Sequence, residues 1–387
     1  MKAYFDNAAT TKVMPEACSI MMNVMTEDYG NPSSKHTKGM DAEQYIEDAR
    51  NIIANTLKCE AKNIIFTSGG TEANNQALIG AAYAARRSGK HIVTTAYEHA
   101  SVAEPLIFLE NEGYEITYVS VNSCGHIEPE VIAAAVREDT TLVSVMLVNN
   151  EIGSVNDIEA ISKAVKEVNP SVLMHVDAIQ GYGKLPINPK KIGADMLTAS
   201  AHKLHGPKGA GFLYKADHVK LLPYIYGGGQ EKGMRSGTEN VPAIAGFGAA
   251  ASVMYKNMQE NDLHMRHIKQ IIIDGVLEVE GSFINANPEK SADTGAPHII
   301  SISFEGVKSE VLLHALASEG IYVSSGSACS SNHPGLSGTL KAIGVSPKLI
   351  DSTIRISLCR DNTEEEALYL IEKIKKHVPV LRKFRSY

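Results

Sequence analysis

From about residue 62 the chain alternates between short β-branched runs and longer stretches rich in Ala, Glu and Lys. The runs read NIIFTS (63–68), HIVTTA (91–96), EITYVSV (115–121), TLVSVMLV (141–148) and VLMHVDA (172–178). Such alternation predicts βαβ units, which build a mostly parallel sheet covered by helices on both faces. TLVSVMLV is almost wholly apolar, the pattern of a central strand buried on both sides. The character changes after about residue 215. A long glycine-rich loop, PYIYGGGQEKGMRSGTENVP (223–242), precedes two helical stretches, AIAGFGAAASVMYKNMQ and LHMRHIKQIIIDGVLEV. A smaller α+β pattern follows: HIISISF as strand, KSEVLLHALASEG as helix, IYVSSG and TIRISL as strands, and a final helix near 363–377. The expected organisation is a large α/β domain at 15–255 and a smaller α+β domain at 256–387, with segment 1–14 associated with the smaller one.

With 387 residues the chain has room for one large domain and a satellite, or for two to three average domains. A net charge of −7 and a pI near 6.1 argue against a general nucleic-acid binder, which would carry a basic stripe. No apolar run approaches the roughly 18 residues of a membrane span. The start, MKAYFDNAATTKV, lacks the apolar core of a secretory signal. The five cysteines, at 18, 59, 124, 329 and 359, are odd in number, scattered and without Cys-x-x-Cys. That pattern fits a reducing cytoplasm and neither a disulfide framework nor a zinc knuckle. Cys18, in the helix-like PEACSIMMNVM, is expected to face the core, and Met21, Met22 and Met25 to pack the same helix.

Ligands of open α/β sheets bind beyond the carboxyl ends of the strands. Polar groups stand after strand upon strand here. NIIFTS is followed by Gly69-Gly70-Thr71 and a helical run, whose free N–H groups and Thr hydroxyl suit a phosphate. HIVTTA is followed by Glu98 and His99, TLVSVMLV by Asn149, Asn150 and Glu151, and VLMHV by Asp177 and then Gln180. ADMLTAS is followed by His202 and Lys203. Each alone reads as a helix cap, a satisfied histidine or a solvated lysine; together they are expected to converge on one crevice. An anion site, a carboxylate and a lysine are what pyridoxal phosphate requires. The lysine forms a Schiff base, and the carboxylate keeps the pyridine nitrogen protonated. HGPKGAG (205–211) lacks the Gly-Lys-Ser/Thr of a P-loop, and HKLH and HMRH are not His-Glu-x-x-His, so neither a nucleotide nor a metal is favoured. Cys329 sits in SSGSACSSN (324–332), among residues too small to pack a core.

Taken together, YFDNAATT (4–11), YGNPSSKH (29–36), FTSGGTEANN (66–75), NNEIG (149–153), HVDAIQ (175–180), SAHKLHGPKG (200–209), GGGQEKGMRSGTEN (227–240), SSGSAC (324–329) and IRISL (354–358) resemble the cysteine desulfurases of the NifS/IscS type. These are class V, fold-type I pyridoxal-phosphate enzymes, and the resemblance runs in order from about residue 4 to about 375. It implies that Lys203 holds the cofactor, with Ser200 and His202 beside it near the phosphate. Gly70 and Thr71 would bind that phosphate, helped by Thr238 from the partner of a homodimer. Asp177 would face the pyridine nitrogen and Gln180 the phenolic oxygen, while His99 stacks on the ring and moves a proton. Asn150 and Arg355 would hold the carboxylate of the substrate, L-cysteine. Cys329 would be the nucleophile that takes the sulfur as a persulfide, with alanine as the other product. A sulfur-acceptor protein would then collect it for iron–sulfur cluster assembly, a thio-cofactor pathway or tRNA thiolation. The resemblance implies no resident metal, Cys329 serving at most as a transient iron–sulfur ligand.

Asn7 stands where other members carry serine, and the stretch after Cys329, SSNHPGLSGTLKAIG, departs from the TSAS-type sequence of scaffold-loading members. The alternatives on the same fold are a selenocysteine lyase or another class V enzyme of aminotransferase type. An inert sulfur-relay subunit is the non-enzymatic one, and the joint presence of Lys203, Asp177 and Cys329 counts against it.

Overall fold

The computed structural model describes residues 1–325 and 336–383. Thirteen strands are described along the chain. They are β1 (Ala3–Tyr4), β2 (Ile64–Thr67), β3 (His91–Thr95), β4 (Glu115–Val119), β5 (Thr140–Met146), β6 (Leu173–Asp177), β7 (Met196–Ser200) and β8 (Gly211–Lys215), then β9 (Ser282–Ile284), β10 (Ile299–Phe304), β11 (Ile321–Tyr322), β12 (Ser324–Ser325) and β13 (Thr353–Ser357). The helices are α1 (Pro15–Thr26), α2 (Thr37–Leu57), α3 (Gly70–Ala85), α4 (Ala100–Asn111), α5 (Pro129–Ala134) and α6 (Ile158–Val168), then α7 (Val241–Lys256), α8 (Met258–Leu277), α9 (Ser309–Ser318), α10 (Gly338–Ala342), α11 (Pro347–Ile350) and α12 (Glu364–Arg382).

Seven strands form one sheet in the order β2-β8-β7-β6-β5-β3-β4. Neighbours from β7 through β4 pair parallel, each crossover being long enough to hold a helix. The apolar run around β5 is buried along its whole length, as a central strand must be. The exception is β8, antiparallel to both β7 and β2. Only residues 201–210 separate β7 from β8, too few for a parallel crossover, which needs roughly a dozen. The chain therefore doubles back, and β2 on the far side shares the direction of the others. The carboxyl ends of β2, β3, β5, β6 and β7 all open on one edge.

A second sheet, β12-β13-β10-β9, is antiparallel throughout. The chain start is stitched beside it: β1 pairs parallel with β11, and the Ser357 N–H donates to the Phe5 carbonyl at 2.7 Å. Asn7 explains itself here, since its Nδ2 donates to the Tyr4 and Ser357 carbonyls at 3.1 and 3.0 Å. A serine hydroxyl, with one proton, could not bridge both. Ala3 and Phe5 belong to a core built mainly from α8, β10, α9, β13 and α12. Ala8 and Met14, a few residues on, belong to the core under α1, α2 and α7. Helix α7 lies so close on α2 that a Cβ at Gly248 would meet that of Ala49 at 2.8 Å.

The faces of α1 differ from expectation. The helix buries Ala17 and Val24, whereas Cys18 is exposed, as are Met22 and Met25 at 59% and 49%. Packing mainly on one neighbour, α7, buries one stripe, and Cys18, Met22 and Met25 fall outside it. The run IYVSSG likewise divides into two short strands in different sheets, β11 and β12. Among the described residues, no helix is long and apolar enough to cross a membrane.

Candidate active site

Residues following all five strand ends line one cavity of 280 Å³, although Glu98, Asn149 and Glu151, expected there too, stand outside its wall. Gly70, Thr71, His99, Asn150 and Asp177 contribute to its wall, as do Gln180, Ser200, His202 and Lys203. At the end of β2 the chain enters α3, whose first-turn amides have no partner within the helix and present a positive dipole end. Gly70 leaves room there for Ile179, since a Cβ would sit 2.2 Å from Ile179 Cδ1 and make that side chain move. The result is a stretch of cavity wall at a helix N-terminus, a kind of place that suits an anion.

Asp177, the last residue of β6, is buried. Its Oδ1 accepts from the Ile179 N–H and its Oδ2 from Asn74 Nδ2, both at 2.9 Å. Burial nevertheless pushes its carboxyl above the ordinary aspartate value, against the favourable pull of His99 and Lys203. Asn74 is the organiser that the motif reading missed. It also donates to Ser101 Oγ at 2.8 Å and accepts from Thr198 Oγ1 at 2.6 Å, so one amide joins α3, α4, β6 and β7. His99 caps α4, its Nδ1 accepting the Ser101 N–H at 3.1 Å. That bond puts the proton of the neutral ring on Nε2. Burial, with Lys203 and Arg355 nearby, keeps the ring below the usual histidine value despite Asp177.

Lys203 lies in the tight turn after β7. Its Nζ donates to the carbonyls of Ala8 and Ala9 at 2.6 and 2.7 Å, and its own carbonyl accepts from Lys184 Nζ at 2.7 Å. Burial, and next the charge of Lys203, bring Lys184 down to about 7. The N-terminal segment is held over the site by Thr11, whose hydroxyl donates to the His202 carbonyl, and by Gln180, whose Nε2 donates to the Ala8 carbonyl at 2.9 Å. His202 is brought down to about 4 by burial and by Lys203, so its ring is neutral. Beneath His99, the Glu98 carboxyl accepts from Thr95 Oγ1 and the Met146 N–H, and burial pushes it up to about 8.

Arg355, buried on β13, spans two anchors: Nη1 donates to the Asn150 carbonyl at 2.8 Å and Nη2 to Asp6 Oδ1 at 2.9 Å. It adjoins the cavity through Asn150 without lining it. Ser324 lies opposite Arg355 in the β12–β13 register. Ser337 and Thr339, on the far side of the undescribed stretch, donate to the Glu151 carboxylate at 2.5 and 3.2 Å. Cys329 itself lies outside the described residues. Thr238 is exposed on the glycine-rich loop and takes no part in the cavity wall. Asn74, Ala8 and Ala9 lie inside quoted motifs, FTSGGTEANN and YFDNAATT, that gave them no role of their own, and Lys184 lies in none, because their importance is one of position.

The arrangement combines an amine, a buried carboxylate, an imidazole and a helix N-terminus that suits an anion, a set able to hold a phosphorylated aldehyde cofactor and labilise bonds at a bound amino acid. The family model described as aminotransferase class-V matches residues 3–370. A cysteine desulfurase, IscS 1, from Archaeoglobus fulgidus is 41% identical over 379 residues, covering 98% of this chain and 97% of its own. The cysteine desulfurase IscS of Serratia proteamaculans is 42% identical, covering 98% and 93%. A solved structure described as a NifS-like protein superposes with a TM-score of 0.92 at 37% identity, covering 98% of this chain and all of that one. With sequence and fold in agreement along almost its full length, this chain belongs to the class-V aminotransferase family and, within it, to the cysteine desulfurases.

Proposed function

We propose that this protein is a pyridoxal-phosphate-dependent cysteine desulfurase, converting L-cysteine to L-alanine and passing the sulfur to Cys329. The observation that carries the reading is the single cavity shared by the α3 N-terminus, His99, Asp177 and Lys203. The α3 N-terminus at Gly70 suits a phosphate, and Thr71, Ser200 and His202 stand within the same wall. Lys203 is the amine that would hold the cofactor's aldehyde, exchanging its two carbonyl partners for that bond. Asp177, too buried to ionise readily alone, would do so opposite a protonated pyridine nitrogen, and Gln180 would face the phenolic oxygen. When bound, the cofactor supplies an electron sink that makes the substrate's α-proton removable.

The protein's own groups do the rest. Arg355 and Asn150 would fix the substrate carboxylate, a planar guanidinium being suited to a two-point grip. His99, neutral with its proton on Nε2, would stack on the cofactor ring and exchange protons. The Cys329 thiolate would attack the substrate Sγ: an S–S bond forms, the Cβ–Sγ bond breaks, and its electron pair stays on carbon. That carbon takes a proton and becomes the methyl group of alanine, while the transferred sulfur remains as a persulfide.

The working unit is a homodimer in which Thr238 reaches the partner's phosphate site. Its exposure supports this, as does the 620 Å³ groove lined by Phe108, Leu222, Tyr224 and Tyr226 that shares Thr71 and His99 with the cavity. The persulfide is destined for an acceptor protein of iron–sulfur assembly or of thio-cofactor or tRNA thiolation. The setting is the cytoplasm, in keeping with unpaired Cys18, Cys59, Cys124 and Cys359. The test is incubation of the holoenzyme with L-cysteine and a thiol reductant, measuring alanine and sulfide together. Equal yields, lost in Cys329→Ser, establish the activity; pyruvate and ammonia, or no turnover, refute it.

A further inference from the structure

Away from the cavity, the turn after Lys203 and the exit of β13 bring three donor groups together. A ring nitrogen of His205, Cys359 Sγ and a carboxylate oxygen of Asp361 all lie within 4.8 Å of one another, the one such cluster among the described residues. His205 and Cys359 are far apart in sequence, so only the tertiary fold makes this set. We propose that His205, Cys359 and Asp361 form a three-ligand site for a zinc-class divalent ion, with water in the fourth position.

Two of the three donors are already held. The His205 N–H donates to Thr11 Oγ1 at 2.7 Å and its backbone takes a φ of 63°; its ring Nδ1 donates to the Lys12 carbonyl at 2.9 Å, a bond and a proton that Nδ1 must give up to bind the ion. The Cys359 N–H donates to Asn362 Oδ1 at 2.8 Å, and Asn362 is buried and fixed in turn on the Tyr4 carbonyl at 3.0 Å. Asp361 is the adjustable member, its side chain 62% exposed and its Oδ2 3.9 Å from His205 Nδ1. Metal–ligand lengths of about 2.0–2.3 Å place tetrahedral donors roughly 3.5 Å apart, so the cluster must contract by about 1 Å. The exposed aspartate side chain can supply its own share of that movement, and the His205 and Cys359 side chains must close the remaining gap between them. It must leave its Arg360 partner at 3.3 Å, an ion pair at the surface and hence weak. One sulfur, one imidazole and one carboxylate suit zinc; magnesium and calcium prefer all-oxygen sets, and one cysteine is too few for an iron–sulfur cluster. The bound ion would tie the chain just past Lys203 to the chain just past Arg355, bracing two sides of the active site without touching substrate.

The test is calorimetric titration of zinc(II) into chelator-treated holoenzyme, with cobalt(II) as a spectroscopic stand-in. The expected result is one equivalent bound and a sulfur-to-cobalt charge-transfer band in the difference spectrum. Cys359→Ser should remove the band and weaken zinc binding at least about tenfold, and Asp361→Asn should weaken it, while Cys329→Ser keeps both signals. No binding to the wild type, binding unchanged in Cys359→Ser, or binding lost in Cys329→Ser overturns the proposal.

Discussion

Lys184 offers a quantitative check on the electrostatics behind the cofactor lysine. Its amine is buried, donates to the Lys203 carbonyl, and lies near 7 where an ordinary lysine lies at 10.5. Between those values the unfolded chain carries a proton that the folded chain does not, so stability must rise with pH across the window. Each pH unit is worth up to about 1.4 kcal/mol, so raising the pH from about 7.5 to 9.0 adds about 2 kcal/mol from this group. For 387 residues at about 2.1 cal/mol/K each, that corresponds to a Tm shift of about 2–3 °C. Lys269, also buried and near 7, adds a similar rise, so the wild type should climb by about twice that amount from the pair. Lys184→Met removes one share. The assay is thermal melting of both holoenzymes at the two pH values, reading the difference in slope rather than the absolute Tm, which also reflects the lost hydrogen bond. Equal slopes would mean that Lys184 is protonated alike in folded and unfolded chains, and the reasoning would fail.

The buried Glu98 should behave oppositely: held near 8, it keeps a proton from about 4.5 to 8 that the unfolded chain releases, so wild-type stability falls with pH there. Glu98→Gln should therefore gain on the wild type by up to about 1.4 kcal/mol per pH unit between those values, measured by denaturant melts at pH 5 and 7.5. Gly70→Ala should fold with a loss of about 1 kcal/mol while driving Ile179 into the cavity, seen as a rise in the cofactor's dissociation constant; an unchanged constant would remove the argument from Gly70. Arg355→Lys cannot reach both the Asn150 carbonyl and Asp6, and should lower kcat/KM for cysteine by about 10–100-fold, with cofactor binding kept.

The sheet was legible because each parallel strand is a local, β-branched run, and a strand buried on two faces leaves an apolar signature that no neighbour can alter. The residues at the strand ends were legible for the same reason: in such a sheet, the position after a strand is already a position in the crevice. Residues whose worth lies in what they meet were not. Asn74 looks like any helix asparagine until three other elements converge on its amide. Cys18, Met22 and Met25 look like core until α1 is found to pack mainly on α7, where Met21 does make contact. The reversed β8 follows from the shortness of one connection, and the meeting of His205, Cys359 and Asp361 from the approach of two distant chain segments. The sequence by itself determined the fold class and most of the polar residues of the cavity wall, since both rest on local pattern and strand polarity, while the family resemblance implied the cofactor. The tertiary structure alone decided the hydrogen-bond partners, the displaced pKa values and the contacts between remote segments, because burial and distance exist only once the chain has packed.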